Sequence, residues 1–492
     1  GVGAGAGAAA PVGPASVKAS RPKRATPNLK QRLTEVVIPV KCVATGAWSF
    51  NTRVTGLNLA NASIGPEGAK FIAKALHGRR NGDGSWVFNT TLRTLNLEFN
   101  SIGTEGVIAI ASALCPRWVP SDPNVAEYVY GGGDGKSEPP LEDVSLDHVQ
   151  RVGGGKWVCN TTMKVLNFNF CDIDAVGAGA LSRLLTPRVD EMGDFVYCSG
   201  VANISLFHNH IGPDGARALG DAIAPRRQQR TGELVFNPKF ESLNVGRNQL
   251  GDLGLAHLAR AFKPAVALNG CWCFNPTFRH LHANMNSCLS QAGPLAIGES
   301  LSPRANPDGS WAFSSSLTTL HLANVFLGEE GGKAVASVVA PRRTTIRGAP
   351  TYVFPSTLRV LNLSRTGLGD VGAGHIGVAL QPVWCVAGGN AREFAADGDP
   401  GAGAAWRPIE GGDAAGAGAG GGVGFGRWVF NAKMREVHLG GNSIGVAGAQ
   451  AIARAIAPRR NNLSDKVNAT EESMWAFNTA LRILDLRDNQ IG

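Results

Sequence analysis

Along most of the chain the apolar positions fall into one recurring phrase, with apolar residues at offsets 0, 3, 5 and 10 and a polar residue, most often Asn, at offset 8. The phrase begins ten times, at Val54, Leu92, Met163, Val201, Phe240, Phe278, Leu317, Leu358, Met434 and Leu481. Its clearest copy carries Leu92, Leu95, Leu97, Asn100, Ile102 and Gly103. Apolar residues two apart, such as Leu95 and Leu97, point to the same side of an extended strand, and the residue between them points to the other. Each copy is therefore predicted to hold a short strand with one face in a core and one face open. Then comes Ile-Gly and a stretch such as residues 213–223, with Pro213 and Asp214 in its first turn and apolar residues spaced by three and four. That spacing predicts a short amphipathic helix, whose many Ala and Gly permit close helix contact. One strand and one helix cannot bury a core alone, so neighbouring copies must stack.

Copies recur mostly every 38 or 39 residues. Just before each phrase stands an aromatic pair two apart, such as Trp86 and Phe88 or Trp311 and Phe313, while the third and fifth copies keep Trp157 and Phe236 alone. A spacing of two implies an extended segment with both rings on one face, so a second short strand is expected in each repeat, stacked along the array. The aromatic stripe reads as packing over helix ends rather than as a binding surface. The Asn at offset 8 (Asn100, Asn209, Asn248, Asn286, Asn442 and Asn489, with Cys171 in the third copy) suits a buried amide that satisfies the turn after each strand. Spacings of 71 residues between the second and third copies and 76 between the eighth and ninth mark insertions at about 116–155 and 386–427. The first holds a candidate degenerate strand at 141–146; the second is Gly/Ala-rich and reads as a disordered loop.

The motif Leu-x-x-Leu-x-Leu-x-x-Asn-x-Ile-Gly resembles the ribonuclease-inhibitor-like class of leucine-rich-repeat proteins, which includes the ribonuclease inhibitor, the Ran GTPase-activating proteins and the repeat portions of NOD-like receptors. The resemblance spans roughly residues 50–492, with Ala62, Val325 and Thr366 departing at the Asn position and a period longer than the usual about 20–29. It implies an α/β leucine-rich-repeat solenoid, a curved parallel sheet inside and helices outside, with about ten repeats over residues 41–492. Residues 1–40 read as a disordered low-complexity tail; their Lys18, Arg21, Lys23 and Arg24, with no acid before Glu35, are also what part of an organelle transit peptide would show. A chain that starts at Gly1 without methionine and stops inside a repeat reads as a piece of a longer protein.

Composition narrows the function. Hydrophobic residues at 43% speak against disorder for most of the chain, and 64 glycines against 4 tyrosines fit tightly coiled repeats. The net charge of +9 favours an acidic partner. Nine scattered cysteines form no disulfide framework or zinc motif and read as reduced. With no run of about 18 apolar residues and no visible signal peptide, a soluble protein in an intracellular, cytoplasmic setting is expected. Catalytic chemistry is sparse. Residues 130–137 approach a phosphate loop, but Tyr130 stands where the first glycine belongs and Glu138-Pro-Pro follows instead of a helix. His280, His282 and His321 should share the concave face, yet no carboxylate or cysteine completes a metal set, so no metal or cofactor is expected. The glycosylation sequons read as by-products of the repeated Asn-Thr-Thr.

Two charge patterns remain. At offset 1 stand Arg93, Lys164, Arg279, Arg359, Arg435 and Arg482, expected to align as a basic rail along one edge of the concave sheet. The simplest reading is solvated charge with snorkelling stems; as an interface the rail would suit an acidic protein. Paired arginines after several helices (Arg79-Arg80, Arg226-Arg227, Arg342-Arg343, Arg459-Arg460) read as cations at helix carboxyl ends. On the concave face the residues between the two core positions form a polar ladder, flanked by Phe99, Phe170 and Phe207. The chain is therefore read as a non-enzymatic scaffold that binds a protein, rather than nucleic acid or membrane, through Arg93, Lys164, Arg279, Arg359, Phe99, Phe170, His282 and His321. The resemblance offers two alternatives, a regulator of a small GTPase and the sensor part of a larger receptor.

Overall fold

A computed structural model describes residues 38–121, 128–129, 154–346, 349–354, 356–387, 406–408, 426–461 and 474–492. The ten phrases become ten three-residue strands: Gly56–Asn58, Thr94–Asn96, Val165–Asn167, Asn203–Ser205, Ser242–Asn244, His280–His282, Thr319–His321, Val360–Asn362, Glu436–His438 and Ile483–Asp485. They form one parallel sheet in strict chain order, each strand bonded to the next copy with its central apolar residue in register, as Leu95 with Leu57 and Leu166 with Leu95. Nine helices among the described residues follow nine of these strands, from Gly65–Leu76 to Val446–Ile456. The fold is an α/β leucine-rich-repeat solenoid with one continuous core between sheet and helices, lined by residues such as Leu95, Leu97, Ile102, Ile110 and Leu114.

The Ile-Gly step has a backbone reason. Gly103 and Gly212 lie at φ +64° and +56°, which lets the chain turn from strand into helix where a side chain would be strained. In the third repeat Asp174 stands at this place in an extended conformation instead, and its carboxylate accepts from Gly177 N at 3.0 Å as a helix cap. Close helix contact is also seen. A Cβ built on Gly106 would come within 2.7 Å of the Ala69 Cβ in the preceding helix.

Each repeat does carry the expected extra strand, but its pairing differs from the expectation. Trp86–Val87 pairs antiparallel with Arg79–Arg80, and Trp311–Ala312 with Arg304–Ala305, so the addition is a small hairpin within each repeat rather than a strand aligned along the array. The arginines after the helices thus open a hairpin and cap a helix at once. Arg79 donates to the Lys74 carbonyl at 2.7 Å and lies 5.3 Å over the Trp48 ring; Arg342 does the same with Ser337, at 2.9 Å, and Trp311, at 5.5 Å. These contacts assign the tryptophans to packing between repeats.

The hairpin is also where the long spacings are absorbed. Arg117–Pro120 pairs directly with Gly155–Val158, and Val383–Ala387 with Gly426–Val429, while the main sheet runs on without a break from Thr94–Asn96 to Val165–Asn167 and from Val360–Asn362 to Glu436–His438. At the start, Val40–Lys41 pairs with Trp48–Ser49, so the first hairpin begins within the last residues assigned to the tail. The candidate strand at 141–146, the phosphate-loop-like 130–137, most of the Gly/Ala-rich 386–427 and residues 1–37 lie outside the described residues.

Candidate functional site: the open face of the sheet

On the face away from the helices, equivalent residues of successive repeats form rows. The row between the two core positions runs Asn58, Asn96, Asn167, Ser205, Asn244, His282, His321, Asn362, His438 and Asp485. Most of its Asn and Asp side chains are occupied locally. The Oδ1 atoms of Asn58, Asn96, Asn167, Asn244 and Asn362 each accept from the backbone N–H two residues on, all at 3.1 Å, and Asp485 does so at 3.2 Å. These are Asx turns that bend the chain out of the strand. The three histidines break that pattern. His282 and His321 instead meet edge to face, with centroids 4.6 Å apart, beside His280, whose Nδ1 is 3.0 Å from Thr319 Oγ1.

Burial, and then the neighbouring His321 and His280, pushes the His282 imidazole down to about 4. His321 is lowered by burial and by His438, and His280 by burial and by Arg279. At neutral pH this patch is therefore uncharged. His438 lies 3.4 Å from Glu436 Oε2 and 3.7 Å from Asp485 Oδ2. Among the described residues no group of three or more His, Cys, Asp or Glu is placed to hold a metal ion.

Where each strand ends, the residue at offset 7 of every repeat adopts the left-handed conformation. Asn61, Asn324, Gly441 and Asp488 do so with residue types that tolerate it, as does His208 at 57°, whereas Arg247, Met285 and Arg365 do so with long side chains and Phe99 and Phe170 hold φ of 58° and 52° with large rings. The rings of Phe99, Phe170 and His208 stack into a column across three consecutive repeats. Phe99 and Phe170 are 4.2 Å apart and nearly parallel, Phe170 and His208 4.4 Å, and Phe207 closes on Phe170 edge-on at 5.6 Å. Phe99 remains 51% exposed despite the stacking. Beneath the column Glu98 accepts weakly from Asn169 Nδ2 at 3.3 Å, and Asn169 Oδ1 accepts from Ser205 Oγ at 2.7 Å.

The offset-1 residues do follow one another along the leading edge of the sheet, linked by backbone bonds such as Lys164 N to Arg93 O and Arg435 N to Arg359 O, both 2.8 Å. The row is not continuous in charge. Ala202 and Glu241 interrupt it after Lys164, and Thr318 separates Arg279 from Arg359, so the structure gives a basic pair, Arg93 and Lys164, a single Arg279 and a run of three, Arg359, Arg435 and Arg482. None of these six forms an ion pair among the described residues, and Arg93, Arg279, Arg359 and Arg482 are exposed. Of the residues expected at an interface, Phe99 meets Phe170 and His282 meets His321, while Arg93 and Lys164 are adjacent and Arg279 and Arg359 are separated by Thr318. His208 and Phe207 complete the aromatic column; the signal for His208 was its place, seven positions after Val201, where Phe99 and Phe170 stand in their own phrases.

No helix among the described residues is long and apolar enough to cross a membrane. The family model described as Leucine Rich repeat matches residues 88–111, 159–182, 204–220, 236–259, 355–377, 430–453 and 477–492. These segments cover strand and helix residues of the second, third, fourth, fifth, eighth and ninth copies and the strand of the tenth. A search of curated proteins finds no match.

Proposed function

We propose that this leucine-rich-repeat protein is a non-enzymatic scaffold that binds a partner protein on the open face of its ten-stranded sheet. The observation that carries the reading is the column Phe99, Phe170 and His208. Stacked rings left partly exposed at a solvent-facing turn are costly for folding, and their use is explained if a partner covers them. The cations along the leading edge, none of them in an ion pair among the described residues, favour a partner with an acidic surface, because exposed charges steer association without having first to be released from ion pairs. Repeat solenoids present such long surfaces on rigid elements, so side chains from many repeats act together.

The test is affinity capture from the source cells with the full chain as bait, beside a chain carrying Arg93→Glu, Lys164→Glu, Arg279→Glu and Arg359→Glu and another carrying Phe99→Ala. A specific protein held by the native chain and lost with both variants supports the reading. Equal capture by all three chains refutes it. A captured small GTPase whose GTP hydrolysis the chain accelerates would move the reading to the regulator alternative.

A further inference from the structure

Two departures from the repeat meet at one point. At the second aromatic position of the hairpin stand Phe88, Tyr197, Phe236, Phe274, Phe313, Phe354 and Phe430, but the third repeat has Cys159. At the next position stand buried asparagines, Asn89, Asn160, Asn237, Asn275 and Asn431, but the fourth repeat has Cys198. That asparagine has a task. Asn89 Oδ1 accepts from Thr91 N at 3.0 Å and Leu92 N at 2.7 Å, fixing the approach to the strand. In the fourth repeat Ser199 takes over, its Oγ accepting from Val201 N at 3.2 Å, so Cys198 is released from that duty.

Cys159 and Cys198 are neighbours across consecutive repeats. Cys159 Sγ donates to the Cys198 carbonyl at 3.0 Å, and the two thiols are within hydrogen-bonding reach of each other. Both are half-buried, which leaves a path for a small reagent. We propose that Cys159 and Cys198 form a reversible disulfide that clips the third repeat to the fourth. The Cys159 sulfur already touches the Cys198 backbone at 3.0 Å, and a disulfide accepts Cα separations of about 4.4–6.8 Å, so closure requires side-chain rotation rather than rearrangement of the array.

The chemistry proceeds by exchange with a small-molecule disulfide such as oxidised glutathione. The adjacent Cys159 thiol, with Arg188 and Lys239 nearby, favours the thiolate at Cys198, while Cys159, its proton turned to the Cys198 carbonyl, stays a thiol. The Cys198 thiolate attacks one sulfur of the small disulfide, forming a mixed disulfide and expelling one small thiolate. Cys159 then gives its proton to solvent and its sulfur attacks Cys198, forming the Cys159–Cys198 bond and releasing the second small thiol. Two electrons pass from the protein thiols to the reagent, which leaves as two thiols.

The experiment equilibrates the purified full chain with oxidised or reduced glutathione and maps its peptides by mass spectrometry, beside Cys159→Phe and Cys198→Asn, each of which restores the residue usual at that place in the repeat. The expected result is a linked pair of peptides carrying both cysteines, lost on reduction and absent from either variant. An upward shift of the denaturant midpoint on oxidation should accompany it in the native chain alone. Should either variant fail to fold, Cys159→Ser and Cys198→Ser serve for the same readouts. The proposal is overturned if Cys198 ends as a glutathione adduct not joined to Cys159, or if both thiols stay reduced while the exposed Cys42 is fully modified.

Discussion

Replacing Asn286 with Ala tests how the repeats are held to one another. Asn286 is fully buried, and its carboxamide serves both its own repeat and the one before, with a longer contact from Nδ2 to Asn284 O at 3.4 Å. Nδ2 donates to Ala283 O at 2.9 Å in its own repeat and to Val245 O at 3.0 Å in the one before. Oδ1 accepts from Asn248 N at 2.9 Å and Leu250 N at 3.2 Å, both in the preceding repeat's turn. Asn286→Ala leaves two N–H and two C=O groups in a dry turn. At about 1 kcal/mol net for each bond the loss is about 4 kcal/mol, and the void left by the amide adds to it. Asn286→Cys imitates Cys171, whose thiol donates to Leu97 O at 3.1 Å, and should cost less than Ala. The same geometry explains Ala62: the amide at this position serves the repeat before, and no strand precedes Gly56–Asn58 in the described sheet, so Ala62→Asn should add no stability. Urea unfolding followed by far-ultraviolet circular dichroism and tryptophan fluorescence measures all three. A cost for Asn286→Ala below about 1 kcal/mol with an unchanged m-value would refute the reasoning.

Helix glycines give a paired prediction. A Cβ on Gly220 would sit 2.4 Å from the His257 carbonyl of the next helix, so Gly220→Ala should destabilise by about 1–3 kcal/mol, whereas Gly374, in the helix Gly369–Leu380 with nothing within 4 Å, should gain about 0.5–1 kcal/mol as Ala; the two denaturant midpoints moving in the same direction would contradict this. His282 gives a pH dependence. Its folded-state pKa of about 4 lies below the ordinary 6.5, so the unfolded chain binds the proton more readily, and the contribution is fully present above pH 6.5 and lost as pH falls toward 4. The fall of the urea midpoint across that window should be shallower in His282→Gln, and an unaltered slope would show that His282 does not titrate there.

The strand phrase, the helix after it and the order of the sheet were legible in the sequence because burial imposes periods that survive even where residue types change: Met163, Phe240 and Leu92 fill the same place. The hairpin was half legible. Its aromatic strand has a period of two, but its partner is written as Arg79-Arg80 or Arg226-Arg227, which reads as helix capping and is that as well, since Arg226 donates to Asp221 O at 3.0 Å. The sequons at Asn89 and Asn160 were readable as repeat structure and prove to be buried caps. Least legible was the cross-repeat use of side chains. Asp370 accepts from Gly445 N at 2.7 Å and Gly448 N at 2.8 Å, capping the next repeat's helix across a long insertion, and no spacing within one copy announces such a partner.

That division of labour limits where recognition can reside. A row whose asparagines hold their own turns, as Asn58, Asn96, Asn167, Asn244 and Asn362 do, has little freedom to vary, and each amide oxygen is already committed. Freedom lies where the turn does not need the side chain: at offset 1, where Arg93 and Glu241 are equally compatible with the sheet, at the left-handed position, where Asn324 would have served in place of Phe99, and at His282, His321 and His438, which have given up the cap. Charge, rings and imidazoles therefore stand at the positions the scaffold leaves free, which is where the proposed recognition would act. Stability should be nearly blind to Arg279→Glu and Arg359→Glu, which break no ion pair among the described residues, so any loss of partner binding in those variants reports the surface itself and not the array beneath it.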